Sequence, residues 1–179
     1  MSTKDELFLL YSRAEITERI KILAQEIRKD VSGDNELLCV CVLKGAFMFF
    51  SDLVRHFGET AGCAFIRLSS YGDKTQTCGT VRQISEFTED VKGKVVLIVE
   101  DIVDSGITAE YLIRYFTELG AASVRLACLI DKPFARTRHV CPDYTAFTLT
   151  KDYFVVGFGL DYAQKYRALD AVYYMKENG

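Results

Sequence analysis

Residues 95–108 of this 179-residue chain read VVLIVEDIVDSGIT. The stretch opens with five apolar residues that favour β-structure, a pattern typical of a buried strand. Three carboxylates follow within five positions, at Glu100, Asp101 and Asp104, and Ser-Gly comes directly after them. Buried carboxylates are costly unless they are paired, hydrogen-bonded or bound to a metal. The charged end of this strand is therefore a candidate functional site.

Apolar runs of strand length alternate along the chain with segments of helical spacing. The predicted strands are residues 37–43, 63–70, 95–101 and 123–130, and the predicted helices are residues 14–30, 46–57 and 106–119. Two further runs within residues 144–158, YTAFTL and YFVVGF, are rich in residues that favour β-structure. This alternation indicates an α/β fold with a mostly parallel central sheet flanked by helices. Residues 71–86 carry no core pattern and are expected to form a long exposed loop or a loose hairpin. The length favours a single domain.

The composition argues against several classes of protein. A net charge of −3 and a pI near 5.5 give no basic footprint for nucleic acid. No segment approaches the roughly 18 apolar residues of a membrane span, and the N-terminus lacks the apolar core of a signal peptide. The six cysteines form neither a C-x-x-C pair nor a zinc spacing. We therefore expect a cytoplasmic protein with reduced thiols that binds neither nucleic acid nor membrane.

Polar residues interrupt the chain after three of the predicted strands. Glu100 and Asp101 end one strand. Lys44 and Gly45 follow another, and Lys132 follows a third. In open α/β sheets, ligands bind beyond the carboxyl ends of the strands. We therefore expect these groups to meet in one crevice.

The pentapeptide 104–108, Asp-Ser-Gly-Ile-Thr, leads directly into a predicted helix. The first turn of a helix offers free N–H groups and a partial positive charge, and Gly106 allows backbone to approach a ligand closely. The hydroxyls of Ser105 and Thr108 are further donors. These features suit a phosphate cradle. The alternative is an ordinary helix start with Ser105 as its cap.

Glu100 and Asp101 suit a ligand with hydroxyl groups, such as the 2′ and 3′ hydroxyls of a ribose, or a hard cation such as Mg²⁺. The alternative is a pair of solvated charges at a strand end. A Walker B strand also ends in an acid. The chain contains no G-x-x-x-x-G-K-[ST] motif, however, which argues against a nucleoside-triphosphate module.

Isolated basic and aromatic residues each allow two interpretations. Lys44 is suited to meet a phosphate as a point charge, with Gly45 giving the backbone unusual freedom, or the pair is a plain strand-to-helix turn. Lys132 and Arg167 are equally open. Phe154 belongs to the aromatic-rich run YFVVGFGLDY, which is most simply a core strand and alternatively provides a stacking surface.

Together these segments resemble a known family. VVLIVEDIVDSGIT is similar to the phosphoribosyl-pyrophosphate binding motif of type I phosphoribosyltransferases: four or five apolar residues, Glu-Asp, two apolar residues, Asp, Ser/Thr-Gly, one residue and Thr. LKG at 43–45, SSY at 69–71, Lys132 after an apolar strand and FVVGFGLDYAQKYR at 154–167 resemble the hypoxanthine-guanine branch. The landmarks agree in order and spacing from about residue 8 to residue 176.

The resemblance implies how the phosphoribosyl donor is held. Glu100 and Asp101 would hold its ribose hydroxyls. Lys44 and Gly45 would bind the pyrophosphate through a peptide bond that is cis in this family, and Arg167 would reach the same group. Five residues would cradle the 5′-phosphate: Asp104, Ser105, Gly106, Ile107 and Thr108.

The resemblance also implies how the base is held. Asp104 would lie near purine N7 as the general acid/base, and Lys132 would donate to the 6-oxo group. Phe154 would stack on the base, and the backbone of Val155 would bond its edge. Asp161 would lie in the base site.

The resemblance further implies a metal site, a lid and a domain organisation. Asp161 would hold Mg²⁺ together with Glu100 and Asp101. Ser70 and Tyr71 would begin a mobile loop at about 70–86. Residues 1–179 would form one phosphoribosyltransferase domain, with a small β-rich hood built from the chain ends.

The implied function is purine salvage. The enzyme would transfer 5-phosphoribosyl from phosphoribosyl pyrophosphate to hypoxanthine, guanine or both, as a homodimer or homotetramer. The alternatives are a phosphoribosyltransferase for a pyrimidine or another base, and a regulator of the same fold that binds nucleic acid. The segment DKPFART lacks a second basic residue directly after Lys132, which leaves the preference among hypoxanthine, guanine and xanthine open.

Overall fold

The computed structural model describes residues 6–31, 36–71, 80–83 and 86–176. These residues form two sheets and three α-helices. The strands are β1 (Leu7–Tyr11), β2 (Leu37–Leu43), β3 (Ala61–Tyr71), β4 (Thr80–Gln83), β5 (Val95–Val103), β6 (Ser123–Asp131), β7 (Tyr144–Thr148), β8 (Phe154–Val156) and β9 (Val172–Met175). The helices are α1 (Arg13–Asp30), α2 (Phe47–Val54) and α3 (Ile107–Glu118), with short 3₁₀ turns at Gly58–Thr60 and Pro133–Ala135.

Six strands form the central sheet, in the order β4-β3-β2-β5-β6-β7. Neighbouring strands are parallel except β3 and β4, which are antiparallel. This arrangement confirms the predicted α/β fold. Because Leu68–Tyr71 pairs with Thr80–Gln83, the backbone here favours the hairpin over the simple loop. Residues 72–79 and 84–85, which complete the predicted loop, lie outside the described residues.

Helices cover both faces of this sheet. Successive strand residues point to opposite sides, so each strand contributes side chains to both faces. On one face, Cys41 and Leu97 pack with residues of α1 and α2. On the other face, Val40 and Ile98 pack with Phe116 and its neighbours on α3. Burial on both faces explains why β2 and the first half of β5 are apolar without alternation.

Helix α1 has the amphipathic pattern that its sequence predicts. Ile16, Ile20, Leu23 and Ile27 are all buried. Its start is fixed by a capping box, in which Ser12 accepts from the N–H of Glu15 and the Glu15 carboxylate accepts from the N–H of Ser12. Within the described ranges, none of the helices is both long and apolar enough to cross a membrane.

A second, smaller sheet is antiparallel and has the order β1-β9-β8. Its strands come from near both ends of the described chain. Strand β1 was not predicted, because its residues are at most partly buried and do not alternate in polarity. Its position depends on pairing with β9, where Phe8 stacks on Tyr174 with ring centroids 5.1 Å apart.

The central sheet changes direction between β2 and β5. The chain passes from β2 to β3 on one side of this point, and from β5 to β6 on the other side. The loops that follow β2 and β5 therefore diverge and leave a crevice at the carboxyl ends of the two strands. Such a point is the usual ligand site of open α/β sheets.

Candidate active site

A cleft of about 310 Å³ lies at this crevice. Its volume is in the lower part of the range for small-ligand pockets. Nine of the predicted site residues line it: Lys44, Gly45, Glu100, Asp101, Asp104, Gly106, Thr108, Asp161 and Arg167. The polar groups that follow β2 and β5 therefore do meet in one crevice, as the sequence predicts.

The carboxylates at the end of β5 lie in an environment that disfavours their charge. Glu100 is only 5% exposed, so the alternative of a solvated pair is wrong for this residue. Burial, and then the nearby charges of Asp101 and Asp104, raise the pKa of Glu100 well above its ordinary value. Burial also raises the pKa of Asp101 to about 6, although backbone N–H groups and the guanidinium of Arg167 act in the opposite direction. A cation or hydroxyl donors at this site would relieve the repulsion.

The turn after β5 presents backbone donors to the cleft. Asp104 is exposed, and its Oδ1 accepts a hydrogen bond from the N–H of Ser105. Gly106, rather than Ser105, is the N-cap of α3, and its φ of 82° is in the region that favours glycine. No side chain caps the helix in the usual way, although the N–H of Ile107 makes a long contact of 3.5 Å with Ser105 Oγ. The first turn of α3 is thus suited to bind an anion.

Two glycines allow three chain segments to touch at one edge of the cleft. A Cβ at Gly45 would lie 1.6 Å from Asp101 Oδ2, so no side chain fits at this position. A Cβ at Gly159 would lie 2.1 Å from the carbonyl oxygen of Gly45. The cis peptide bond of this region joins Leu43 to Lys44, one bond before the Lys44–Gly45 bond.

The two basic residues predicted to bind pyrophosphate contact the same loop. Arg167 Nη2 lies 2.6 Å from Asp161 Oδ1, and Arg167 Nη1 donates to the carbonyl of Gly159 at 2.7 Å. Lys44 Nζ donates to Oε1 of Gln164 at 3.1 Å. Residues 161–167, together with Lys44, therefore form a connected group of polar side chains on one side of the cleft.

Lys132 lies beside the cleft without lining it. Its backbone N–H donates to the carbonyl of Val103 at 2.9 Å, which ties it to the end of β5. Its ammonium donates to the carbonyl of Tyr153 at 2.8 Å and to Asp152 Oδ1 at 3.3 Å. The side chain is only 13% exposed, so the ammonium has a defined position.

Phe154 is not the core residue that one interpretation of its sequence suggested. The residue is 46% exposed, and its ring meets the ring of Tyr162 edge-on with centroids 5.5 Å apart. Val155 is buried, and its backbone pairs with Tyr174 in the small sheet. Like Lys132, Ser105 and Ile107, these two residues lie outside the lining of the cleft. The structure thus separates the cleft from a more open region around Lys132 and Phe154.

The carboxylates of the cleft fit a magnesium ion that arrives with a ligand. In the described ranges, no three His, Cys, Asp or Glu side chains are grouped closely enough to form a metal centre by themselves. The charge of Asp161 nevertheless raises the pKa of Asp101, so their charges interact. Mg²⁺ is commonly bound through one or two carboxylates plus water and substrate phosphates, rather than by a complete protein cage. Glu100, Asp101 and Asp161 suit that kind of partial site.

The predicted lid cannot be placed. The backbone of Ser70 and Tyr71 belongs to β3, but their side chains and most of the 70–86 loop lie outside the described residues.

Comparison with known proteins agrees with this geometry. The family described as Phosphoribosyl transferase domain matches residues 10–163. A hypoxanthine-guanine phosphoribosyltransferase of Streptococcus pneumoniae is 42% identical over 169 residues, which cover 94% of this chain and 93% of that protein. The enzyme of the same name from Bacillus subtilis is 38% identical over 168 residues, which cover 94% of this chain and 92% of that protein. The chain belongs to the hypoxanthine-guanine phosphoribosyltransferase family.

The fold also matches this family. A crystal structure of a hypoxanthine-guanine phosphoribosyltransferase from Bacillus anthracis superimposes with a TM-score of 0.89 and 36% sequence identity, covering 94% of this chain and 99% of that chain. The family predicted from VVLIVEDIVDSGIT and its companion segments is thereby confirmed. A nucleoside-triphosphate module, considered for the strand that ends in acid, is wrong.

In this member of the hypoxanthine-guanine phosphoribosyltransferase family, sequence reasoning missed the residues that support the turn between β5 and α3 from behind. The N–H of Thr137 donates to the carbonyl of Ser105 at 2.9 Å. Arg136 pairs with Asp131, and its Cδ would lie 3.1 Å from a Cβ at Gly106. Arg136 Nη1 is buried and has no hydrogen-bond partner within the described part of the chain. No spacing rule links segments so far apart in the chain, so only the tertiary structure reveals this support.

Three further residues were missed for a similar reason. Asp152 contacts Lys132, Gln164 contacts Lys44, and Gly159 packs on Gly45. Gln164 is an exposed polar residue in a loop, and such residues carry no signal in a single sequence. The glycines of GFGLDY were the one available hint, since glycine at a loop often marks a close approach of backbone.

Proposed function

We propose that this protein is a purine salvage enzyme that transfers the 5-phosphoribosyl group from phosphoribosyl pyrophosphate to hypoxanthine, guanine or both. The products are the nucleoside monophosphate and pyrophosphate. The observation that carries the proposal is the composition of one cleft. A buried and a partly buried carboxylate suited to ribose and an open helix start suited to a phosphate lie beside basic groups suited to pyrophosphate.

The β5–α3 turn binds the ribose 5-phosphate part of the donor. Glu100 and Asp101 accept hydrogen bonds from the ribose hydroxyls, which reduces the unfavourable effect of placing two carboxylates where water solvates them poorly. The 5′-phosphate accepts hydrogen bonds from the first N–H groups of α3 and from the hydroxyls of Ser105 and Thr108. Gly106 suits this role, because its missing side chain leaves the backbone accessible.

Lys44, Gly45 and Arg167 bind the pyrophosphate. Lys44 supplies a cation at one end of the cleft, and Gly45 supplies backbone with no side chain in the way. Arg167 supplies a planar guanidinium whose position is fixed by Asp161 and the Gly159 carbonyl. Fixed positive charge stabilises the negative charge that collects on the leaving group.

The base binds in the open region beside the phosphoribosyl site. The ammonium of Lys132 has three donors, and its contacts with Tyr153 and Asp152 leave one for the 6-oxo group of the purine. The exposed ring of Phe154 stacks on the base, and the backbone of Val155 bonds its edge. Asp161 completes the site on the loop that follows.

Asp104 performs the acid/base chemistry. The bond between ribose C1 and the pyrophosphate oxygen breaks, and its electron pair leaves with pyrophosphate. A purine nitrogen forms the new bond to C1, and Asp104 handles the proton at N7. The residue is exposed at the cleft and therefore accessible to the base. A positioned acid/base group contributes about 10²–10⁴-fold in rate.

Mg²⁺ is the proposed cofactor, held by Glu100, Asp101 and Asp161 together with oxygens of the donor. When bound, it neutralises charge on the pyrophosphate. The small sheet serves as a hood over the base site, because β8 carries both Phe154 and Val155. Ser70 and Tyr71 begin a lid that excludes water from the reaction. Hood, lid and central sheet belong to a single domain.

We also infer a cytoplasmic enzyme that binds neither membrane nor nucleic acid. Five cysteines within the described residues are free, which suits a reducing compartment. The net charge of −3 argues against a nucleic-acid-binding regulator. We propose a homodimer or homotetramer, supported by the half-exposed rings of Phe47 and Phe65, the second of which packs against Phe50. Sedimentation analysis of the intact chain tests that assembly.

A base panel tests the proposed function. The protein is incubated with phosphoribosyl pyrophosphate, Mg²⁺ and, in parallel, hypoxanthine, guanine, xanthine, adenine or uracil. Nucleotide from hypoxanthine or guanine is the expected result. No product from any 6-oxopurine would overturn the proposal, and product from uracil alone would identify a pyrimidine enzyme instead.

A further inference from the structure

One residue of the loop 161–167 connects Lys44 with Arg167, the two basic residues of the proposed pyrophosphate site. Gln164 Oε1 accepts a hydrogen bond from Lys44 Nζ at 3.1 Å. The backbone N–H of the same residue donates to Asp161 Oδ2 at 2.7 Å. Asp161 in turn pairs with Arg167. Gln164 is thus the link between a basic residue directly after β2 and an ion pair on the loop.

The loop is held in an unusual backbone conformation. Ala163, Gln164 and Tyr166 all have positive φ values, of 49°, 66° and 72°. Non-glycine residues persist in this region only where surrounding contacts fix them, and such residues cluster at functional sites. Backbone hydrogen bonds between Tyr162 and Lys165 provide part of that constraint. The conformation therefore fixes the point from which the Gln164 side chain reaches Lys44.

The loop also has a fixed position relative to Lys44. Gly159, just before the loop, lies so close to the Gly45 carbonyl that a Cβ would clash at 2.1 Å. Arg167, at the end of the loop, donates to the carbonyl of Gly159 at 2.7 Å. Both ends of the loop are therefore tied to the segment that carries Lys44.

The chemistry of the Gln164 contact distinguishes Lys44 from the other basic groups of the site. Arg167 is paired with Asp161, and Lys132 with Asp152. Within the described residues, Lys44 forms no ion pair, and its ammonium donates to the neutral amide of Gln164. A neutral acceptor holds the ammonium in place and leaves its positive charge uncompensated. Two further N–H donors remain for a ligand.

We propose that Gln164 is a positioning residue for pyrophosphate, which aims Lys44 into the cleft without neutralising it. This inference rests on the proposed function. A free lysine side chain loses rotamer freedom when it binds a phosphate, and a side chain that is already tethered loses less. The tether therefore strengthens binding of pyrophosphate and of the pyrophosphate end of the donor, and it leaves the base site unaffected.

Substitution of Gln164 tests the inference. Gln164→Met keeps the length of the side chain and removes the acceptor, and Gln164→Ala removes both. Because Gln164 is exposed to solvent, we take the net worth of an ordinary hydrogen bond, so each raises the KM of pyrophosphate in the reverse reaction about three- to tenfold. The KM of phosphoribosyl pyrophosphate rises in parallel, and the KM of the base stays within about twofold. Unchanged KM values for pyrophosphate and donor would overturn the inference, as would an equal rise for the base.

Gln164→Glu separates position from charge. The variant keeps an acceptor for Lys44 and adds a negative charge, so we expect a larger rise in the KM of pyrophosphate than in Gln164→Met. Values equal to those of the unmodified protein would contradict the proposal. Gln25 on the exposed face of α1 provides the matched control, because Gln25→Glu makes the same change in charge away from the cleft.

A double-mutant cycle with Lys44→Ala excludes a general effect on the loop. If Gln164 acts through Lys44, Gln164→Met adds less than about twofold to the KM of pyrophosphate when Lys44 is already absent. Independent, multiplying effects would mean that Gln164 only stabilises the loop, and would overturn the inference. An unmodified protein that makes no nucleotide would instead be a failure of the proposed function.

Discussion

The two flanks of the cleft balance their charges in different ways. On the β5 flank, residues 100–108, burial raises the pKa of both Glu100 and Asp101, and nearby carboxylates raise both further: Asp101 and Asp104 act on Glu100, and Asp161 acts on Asp101. On the loop flank, which comprises Lys44, Lys132 and residues 152–167, Asp161 pairs with Arg167 and Lys132 pairs with Asp152. The β5 flank therefore has excess charge that a ligand must compensate, whereas the loop flank is largely organised before a ligand binds.

Each flank therefore makes a different contribution to stability and to ligand binding. Side chains on the loop flank are already ordered by their contacts, so they lose little conformational entropy when a ligand binds. Crowded carboxylates on the β5 flank lower the stability of the free protein. In the proposed function, a cation and the hydroxyl groups of the donor restore that stability when they bind. Changes on the β5 flank should therefore alter stability and function in opposite directions, and changes on the loop flank should alter affinity alone.

Asp104→Asn should have the largest effect. The amide cannot exchange a proton with the base, so turnover should fall by about 10²–10⁴-fold, the usual worth of an acid/base group. Binding of the donor should change little, because the amide side chain keeps an oxygen that can accept from the N–H of Ser105. Single-turnover kinetics and calorimetric titration of the donor measure the two quantities. Turnover within a few-fold of normal would remove the acid/base role.

Lys132→Met should weaken the base site strongly. Loss of a hydrogen bond from a charged donor costs about 1.5–3 kcal/mol, which corresponds to a rise of about 10–100-fold in the KM of hypoxanthine. The KM of the donor should stay close to normal. Lys151→Met is the matched control, since Lys151 is an exposed lysine in the preceding loop. Equal effects of the two substitutions would argue against the assigned role of Lys132.

The pH should affect the β5 flank with a defined sign. The pKa of Asp101 is raised from 3.8 to about 6, so between these values the folded protein holds a proton that the unfolded chain has lost. The contribution of Asp101 to stability should therefore fall as pH rises through this window. Donor affinity should change in the opposite direction. Below pH 6 Asp101 becomes protonated, and affinity should weaken by about tenfold for each contact with a charged carboxylate that the donor loses. Thermal unfolding and donor titration of the unmodified protein and Asp101→Asn at pH 5, 6 and 7 test both trends, and a variant with the same pH profile would refute the assignment to Asp101.

Asp152→Asn should have the smallest effect. The carboxylate is exposed, and exposed ion pairs contribute about 0.2–1 kcal/mol. The KM of hypoxanthine should rise by about two- to threefold, because the carbonyl of Tyr153 still holds Lys132. Steady-state kinetics with varied base are the measurement. A rise in the KM of hypoxanthine as large as that caused by Lys132→Met would mean that the loop flank is not organised in the way described.

The same comparison explains what could be predicted from sequence. The β5 flank is contiguous in the chain, so one motif held its strand, its carboxylates and its helix start together. The loop flank is assembled from residues 44, 132 and 152–167. Their positions at strand ends placed residues 44 and 132 in one crevice, and only the family resemblance added residues 152–167. The contacts of Asp152 and Gln164 follow from tertiary geometry, since both are exposed polar residues with no periodic pattern.

Elements of the fold followed the same rule. Strands β2, β5 and β6 each contain a continuous apolar run and were predicted closely. Strand β1 was missed because it is only partly buried and is defined by pairing with β9, far along the chain. Gly106 was expected to approach a phosphate, but its role as the N-cap, in place of Ser105, required the backbone angle.

Glu100→Gln tests the central claim, that the β5 flank is unfavourable alone and favourable with the donor. Replacing a carboxyl group that burial and the charges of Asp101 and Asp104 disfavour should stabilise the free protein by about 1 kcal/mol, which raises Tm by about 2–4 °C for a chain of this size. With saturating phosphoribosyl pyrophosphate and Mg²⁺, the unmodified protein gains the larger stabilisation, and the order of the two Tm values should reverse. A Glu100→Gln variant that is less stable in both conditions, or equally stabilised by the donor, would contradict the account.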